Sequence, residues 1–308
     1  MEQCAGSILI PRTSYGVNLY DECISCISLA DDAVLLSTSL LNLILLLRLT
    51  LVYCSKYDVE LVPDKTNLIV FSNKINDVEL DYMKHSLPVI LNHQQIFFSE
   101  EAVHLGVMRS ASVSNMPHIL SRLSAHRRTL FSVLPAGTAR RHNANPAAGL
   151  KIESIYALPV LLSGLSTLVL KKAELDIVWR HYKNSLKRIM KLPEDCSDCA
   201  IFFLAGSLPS TAFLHLRILS LFGMICHLPG NLLHRIGLSA LTLARPSAKS
   251  WFVMVRNLCI QYDLPHPLIL LEYPISSLQF KSMCKLKVRE YWHKFLSERS
   301  RNLALPQS

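Results

Sequence analysis

Residues 23–36 read Cys-Ile-Ser-Cys-Ile-Ser-Leu-Ala-Asp-Asp-Ala-Val-Leu-Leu. Two apolar, strand-length runs flank Asp31 and Asp32, and Asp-Asp is poor in a strand but well suited to a turn. The stretch therefore predicts an antiparallel β-hairpin, with 24–29 on one arm, 33–36 on the other and both carboxylates at or beside the turn. Adjacent carboxylates repel each other and are stabilised when a divalent cation neutralises them. Phosphoryl-transfer enzymes use such pairs to hold Mg²⁺ against an incoming nucleotide. Solvated turns carry Asp-Asp as well, so the flanking sequence decides how much weight the pair bears.

Residues 33–53 are apolar over a bilayer-spanning length. Ser37, Thr38, Ser39, Asn42, Arg48 and Thr50 interrupt them, and an Arg near the centre of a span costs about 3 kcal/mol on insertion scales. A helix over 38–54 packed on a sheet, with Arg48 reaching solvent or an acidic partner, is the expectation, and no membrane partner is expected. Downstream, Tyr57 to Ser72 contains Pro63-Asp64-Lys65-Thr66, a turn signal that leads into a strand. His104-Leu105-Gly106-Val107 follows a further hairpin-like segment.

Leu-Ala-Asp-Asp-Ala-Val-Leu-Leu-Ser, a helix, Pro-Asp-Lys-Thr before a strand, and a His-Leu-Gly-Val box together resemble the later palm motifs of reverse transcriptases, those of non-LTR (LINE-like) retrotransposons above all. The segments 156–164, 203–209 and 262–267 look like those that follow the polymerase domain in animal elements of this kind, so the resemblance runs from about Tyr15 to Arg299. In the family an aromatic residue usually precedes Ala-Asp-Asp, where this chain has Leu29. The resemblance implies RNA-directed DNA synthesis by two-metal nucleotidyl transfer. Asp31 and Asp32 would ligate Mg²⁺ in the complete parent enzyme, Lys65 would neutralise or protonate the leaving pyrophosphate, and the partners would be an RNA template, a DNA primer and deoxynucleotides. The His104 box would shape a primer-grip hairpin, with Gly106 allowing a tight backbone.

Two-metal polymerisation needs a further Asp on a neighbouring strand. Asp21 lies ten residues before Asp31, about 33 Å away along an extended strand, and residues 1–22 hold no second palm strand with a suitable Asp. The family's fingers and first palm Asp lie upstream of this segment, so the resemblance implies a C-terminal polymerase fragment, inactive alone. The alternative is a non-enzymatic basic nucleic-acid-binding module.

Charge supports a polyanionic partner under either reading. The 308 residues carry 32 Lys and Arg against 23 Asp and Glu. Residues 1–100 hold 6 basic against 12 acidic side chains and residues 101–308 hold 26 against 11, a swing from −6 to +15 that fits nucleic acid first and an acidic membrane surface second. Half the residues are hydrophobic and 18% are charged, which excludes a disordered chain. Nine cysteines and no basic, apolar leader at the N-terminus read as reduced thiols in a nuclear or cytoplasmic setting. The C-x-x-C pairs Cys23/Cys26 and Cys196/Cys199 are too far apart in sequence for a zinc ribbon. Oligomeric state is not legible.

The second half reads as helical. Met116, Ile119, Leu120, Leu123, Leu130, Phe131 and Leu134 recur at helical spacing, with Arg122 and His126 on another face and Arg127 and Arg128 adjoining. Under the resemblance this is a thumb helix, followed by Arg140 and Arg141 in a small-residue linker over 138–149. Residues 174–191 form the clearest amphipathic helix. Leu175, Val178, Trp179, Tyr182, Leu186, Ile189 and Met190 are its apolar face, and Arg180, Lys183, Lys187 and Lys191 form a stripe able to track phosphates. Trp251, Tyr291 and Trp292 read as core. The expected fold is α+β: a partial antiparallel reverse-transcriptase palm over 8–110, a thumb-like helical region and linker over 111–150, and an all-α C-terminal domain over 151–308.

Overall fold

The structure is a computed structural model that describes residues 15–71, 88–138 and 145–304. The chain is mixed α+β and divides into two compact units, Met1–Pro117 and His118–Ser308.

The first unit is built from hairpins. Strands β1 (Val17–Leu19) and β2 (Glu22–Ile24), β3 (Cys26–Leu29) and β4 (Asp32–Leu35), β5 (Val89–Leu91) and β6 (Gln94–Ile96), and β7 (Glu101–His104) and β8 (Val107–Ser110) pair antiparallel. Among the described residues each pair is a sheet of its own. Two-residue turns close them. Asn92 and His93 (φ 48° and 63°), and Leu105 and Gly106 (φ 49° and 75°), are left-handed at both central positions, the primed geometry whose twist matches the flanking strands. The expected hairpin arm over 24–29 is divided: Ile24 pairs with Val17, and Ser25 forms a corner whose carbonyl accepts from the Leu36 N–H at 2.8 Å. The strand expected after Thr66 reduces to one parallel bridge between Leu68 and Phe98. There the Ser99 N–H donates to the Leu68 carbonyl at 2.8 Å.

Helix α1 (Leu40–Lys56) follows the β3–β4 hairpin, as the sequence predicts. The Ser39 hydroxyl caps it by accepting from the Asn42 N–H at 3.2 Å, satisfying a donor the first turn leaves open. Leu46, Leu47, Thr50 and Cys54 form its buried face, and Thr50 returns its hydroxyl to the Leu46 carbonyl. Leu47 joins Leu68, Val89, Leu91 and Ile96 in the core of this unit, each fully buried aliphatic contributing about 1.5–3 kcal/mol. Arg48 reaches solvent. Among the described residues no single helix is long and apolar enough to cross a membrane, although the helices Asp198–Ala205 and Ser210–Cys226 pass such a test together as a pair bent by 64°.

The second unit is helical throughout its described residues. Helix α2 (Met116–Thr138) begins at the boundary. It is followed by α3 (Pro146–Ile152), a π-turn (Glu153–Ala157), α4 (Leu158–Leu161), α5 (Lys172–Met190), α6 (Asp198–Ala205) and α7 (Ser210–Cys226). Helices α8 (Leu232–Leu243), α9 (Trp251–Gln261), α10 (Pro267–Glu272) and α11 (Ser277–Ala304) complete it. Helix α7 is the centre, in contact with α5, α8, α9, α10 and α11. Gly223 lets α11 approach it: a Cβ there would stand 2.6 Å from the Phe280 ring.

The boundary between the units falls at Pro117, and the helix that follows it belongs to the same compact unit as the C-terminal helices. Buried polar contacts explain this. His118 Nε2 bonds the Ser163 carbonyl at 3.0 Å, and His126 bonds Glu153 at 2.8 Å.

Candidate functional site: the carboxylate hairpin and the basic helices

The β3–β4 register sets Cys26 opposite Leu35, Ile27 opposite Val34, Ser28 opposite Ala33 and Leu29 opposite Asp32. Ala30 and Asp31 are the turn, so Asp31 sits at its tip and Asp32 is the first residue of the returning strand. Both carboxylates are exposed. Ala30 is left-handed (φ 53°), a conformation that costs an L-residue about 1–2 kcal/mol. One or two carboxylates are what Mg²⁺ ordinarily takes from a protein, with water and substrate phosphates completing its octahedron. Asp31 and Asp32 supply two carboxylates at adjacent positions here. A two-metal arrangement requires a further carboxylate, and among the described residues no three or more His, Cys, Asp or Glu side chains gather as a metal site.

Lys65 ends a 3-10 turn (Pro63–Lys65) that Pro63 starts and the Thr66 N–H closes on the Pro63 carbonyl. Its side chain is exposed, and among the described residues no hydrogen bond or ion pair joins it to Asp31 or Asp32. His104 and Val107 flank the β7–β8 turn, where Leu105 and Gly106 both have positive φ.

The basic stripe is only partly free. Lys183 Nζ pairs with Asp198 at 2.7 Å, and Lys187 Nζ donates to the Glu194 carbonyl. Helix α5 stops at Met190, with Lys191 as a left-handed cap (φ 54°). Arg180 and Lys191 are exposed. The apolar face is as the sequence predicts, with Val178, Tyr182 and Leu186 buried.

Helix α2 departs more. Arg127 and Arg128 are exposed and Arg122 is half-buried, its Nε without a partner. Ile119, Leu123 and Leu130 are buried, whereas Leu120 and Phe131 are exposed. The Leu134 side chain lies outside the described residues, as do Arg140, Arg141 and residues 139–144 of the linker. His126, assigned by the sequence to the polar face, is fully buried because it meets an acid inside the unit.

That acid is Glu153, in the π-turn. His126 Nε2 lies 2.8 Å from Glu153 Oε1, and His126 Nδ1 lies 2.9 Å from His181 Nε2. The consistent assignment has His126 donating to the carboxylate and accepting from His181. Burial, then the neighbouring His126, Arg127 and Arg188, lower His181 to about 4. Sequence reasoning missed this chain of three side chains, and the 27 residues separating His126 from Glu153 leave no local signal for it. Of the three aromatics read as core, Trp292 is buried, Trp251 is half-buried with its indole N–H on the Ser166 carbonyl, and Tyr291 is at the edge of exposure.

In comparisons with family models, with curated proteins and with solved structures, nothing matches this chain.

Proposed function

We propose that the chain is of reverse-transcriptase type, of the non-LTR retrotransposon kind, and carries the carboxylate hairpin of a polymerase palm together with basic helices that bind nucleic acid. The observation that carries this reading is the form and order of elements in the first unit. An exposed Asp31-Asp32 hairpin tip is followed by α1, a turn bearing Lys65 and the β7–β8 hairpin at His104–Val107, the sequence of parts the motif resemblance implies. The partners are an RNA template, a DNA primer and deoxynucleotides, and the ion is Mg²⁺. The two carboxylates hold one ion weakly. Without a third ligand they do not align primer and nucleotide, so this chain by itself carries out no template-directed synthesis.

Two measurements test the reading. Mn²⁺ is expected to broaden the amide resonances of 29–34 by paramagnetic relaxation, and Asp31→Asn with Asp32→Asn is expected to abolish the effect. No selective broadening would reduce the hairpin to a solvated turn. Primer extension with Mg²⁺ or Mn²⁺ is expected to be absent, and extension that disappears in Asp31→Ala would disprove the inactivity.

The second reading, a binding module without chemistry, is favoured by the exposed cations Arg127, Arg128, Arg180 and Lys191. Affinity for RNA or DNA is then expected to fall steeply with salt and to depend little on sequence. Arg180→Ala with Lys191→Ala is expected to lower the slope of log affinity against log salt by about 0.7–0.9 per lost contact. Lys183→Ala is expected to change it less, because Asp198 already neutralises that ammonium. An unchanged slope in the Arg180/Lys191 variant would assign the stripe to solvent.

A further inference from the structure

A pocket of about 330 Å³ opens in the second unit between the π-turn with α4, helix α7 and helix α11. Leu158, Leu162, Phe213 and Phe280 give it an apolar lining, and its charged lining is Arg217, Lys281 and Lys285. No Asp or Glu lines it.

The local backbone explains why a cavity forms there. The Leu158 N–H bonds back five residues to the Glu153 carbonyl, and Pro159, next in the chain, has no N–H to contribute. The helix is therefore widened, a distortion found frequently at functional sites. Arg217 Nη1 reaches the Pro159 carbonyl at 3.4 Å, and burial lowers its pKa, so a poorly hydrated guanidinium stands at the apolar wall. Lys281 and Lys285 lie one turn apart on α11, both exposed. Among the described residues none of the three cations has an ion-pair partner.

An apolar recess bounded by three uncompensated cations selects an anion attached to a hydrocarbon. A nucleic-acid backbone supplies the charge without the tail. The volume lies at the small end of the range for small-molecule sites, roughly 300–1,000 Å³, which suits one flexible chain better than a partner helix. We propose that this pocket binds a free single-chain anionic amphiphile of the medium-chain fatty-acid class, its tail on Leu158, Leu162 and Phe280 and its carboxylate against Arg217, Lys281 and Lys285. The site is independent of the polymerase reading, since it uses none of those residues.

Calorimetric titration of the full chain with decanoate, kept below its micelle concentration, is expected to show saturable one-site binding. Decyltrimethylammonium, with the same tail and the opposite charge, is expected to bind at least tenfold more weakly, and acetate is expected not to saturate. Lys281→Glu with Lys285→Glu, both at exposed positions, is expected to retain the helical circular dichroism and weaken decanoate at least tenfold. Ser220→Trp, which places an indole in the lining, is expected to block decanoate while leaving the salt-dependent binding of nucleic acid unchanged. Equal affinity for the two tail charges, non-saturable heats, or an unaltered affinity in the folded charge-reversed variant would overturn the assignment. Binding to phosphatidylglycerol vesicles that decanoate does not compete away, with no decanoate site detected, would assign the cations to a membrane surface instead and overturn it too.

Discussion

Replacing His126 with Ala is expected to destabilise the second unit by about 1–3 kcal/mol, the range for leaving a buried polar group without its hydrogen-bond partner. His126 and Glu153 are both 0% exposed, and Glu153 Oε2 already has no hydrogen-bond partner. His126→Ala would remove the hydrogen-bond donor from the other oxygen as well. His181, half-buried, can turn to solvent and so adds little. The apolar pair His126→Leu with Glu153→Met is expected to recover most of the loss, because removing both polar partners removes the desolvation cost along with the bond. All three tryptophans, Trp179, Trp251 and Trp292, lie in this unit, so the shift in denaturation midpoint followed by tryptophan fluorescence reads its stability without interference from the hairpins. A loss below about 0.5 kcal/mol for the single variant would show that the contact contributes less than an ordinary hydrogen bond.

Acid is expected to unfold the same unit earlier than its carboxylates alone require. His215 Nδ1 accepts from the Tyr262 hydroxyl at 2.6 Å, and that hydroxyl accepts from the Trp292 indole N–H at 3.0 Å. Burial lowers His215 from 6.5 to about 4. The folded pKa lies below the unfolded one, so as pH falls the unfolded chain takes the proton first. This contribution to stability is therefore complete above about pH 6.5 and is lost progressively towards pH 4. By pH 4.5 His215 is expected to account for about 2–3 kcal/mol, with His181 adding a smaller amount of the same sign because it is half open to solvent. His215→Asn keeps an acceptor near the Nδ1 position and does not titrate. Denaturant midpoints at pH 7.5 and 4.5 are expected to differ less in this variant than in the parent, and an equal difference in both would remove His215 as the cause.

The elements legible in the sequence are those whose cause is local. Asp31 and Asp32 announce a turn by residue type, the apolar run after them announces α1, and the apolar spacing of α5 separates its buried from its exposed face. The pairing of Ile24 was not legible, because a strand's partner depends on which hairpin competes for it, and here Val17 takes it before the Asp hairpin begins. Helix α2 misled for a different reason. Its apolar residues occupy both sides, so periodicity alone does not decide between a face through Leu120 and Phe131 and the buried one through Ile119, Leu123 and Leu130, and the choice is set by Glu153 far along the chain. The neutralisation of Lys183 is likewise invisible on a helical wheel, since Asp198 arrives from the next helix. Three segments singled out by resemblance lie at helix ends and breaks. They are the π-turn with Gly164, the left-handed Gly206 that ends α6, and Tyr262 to Pro267 between α9 and α10.

The four separate hairpins impose an order on how the first unit assembles. Among the described residues every ladder closes within its own short loop, from Val17 with Ile24 to Glu101 with Ser110, apart from the isolated Leu68–Phe98 bridge, and such pairings form in roughly 1–10 μs. Almost no entropy of long-range loop closure is spent on backbone hydrogen bonding. The costly search is left to side chains, when Leu47 must find Leu91 and Ile96 across more than forty residues of chain. Long-range contacts in this unit are therefore concentrated in its apolar core, and the docking of α1 against the hairpins is expected to limit its folding rate.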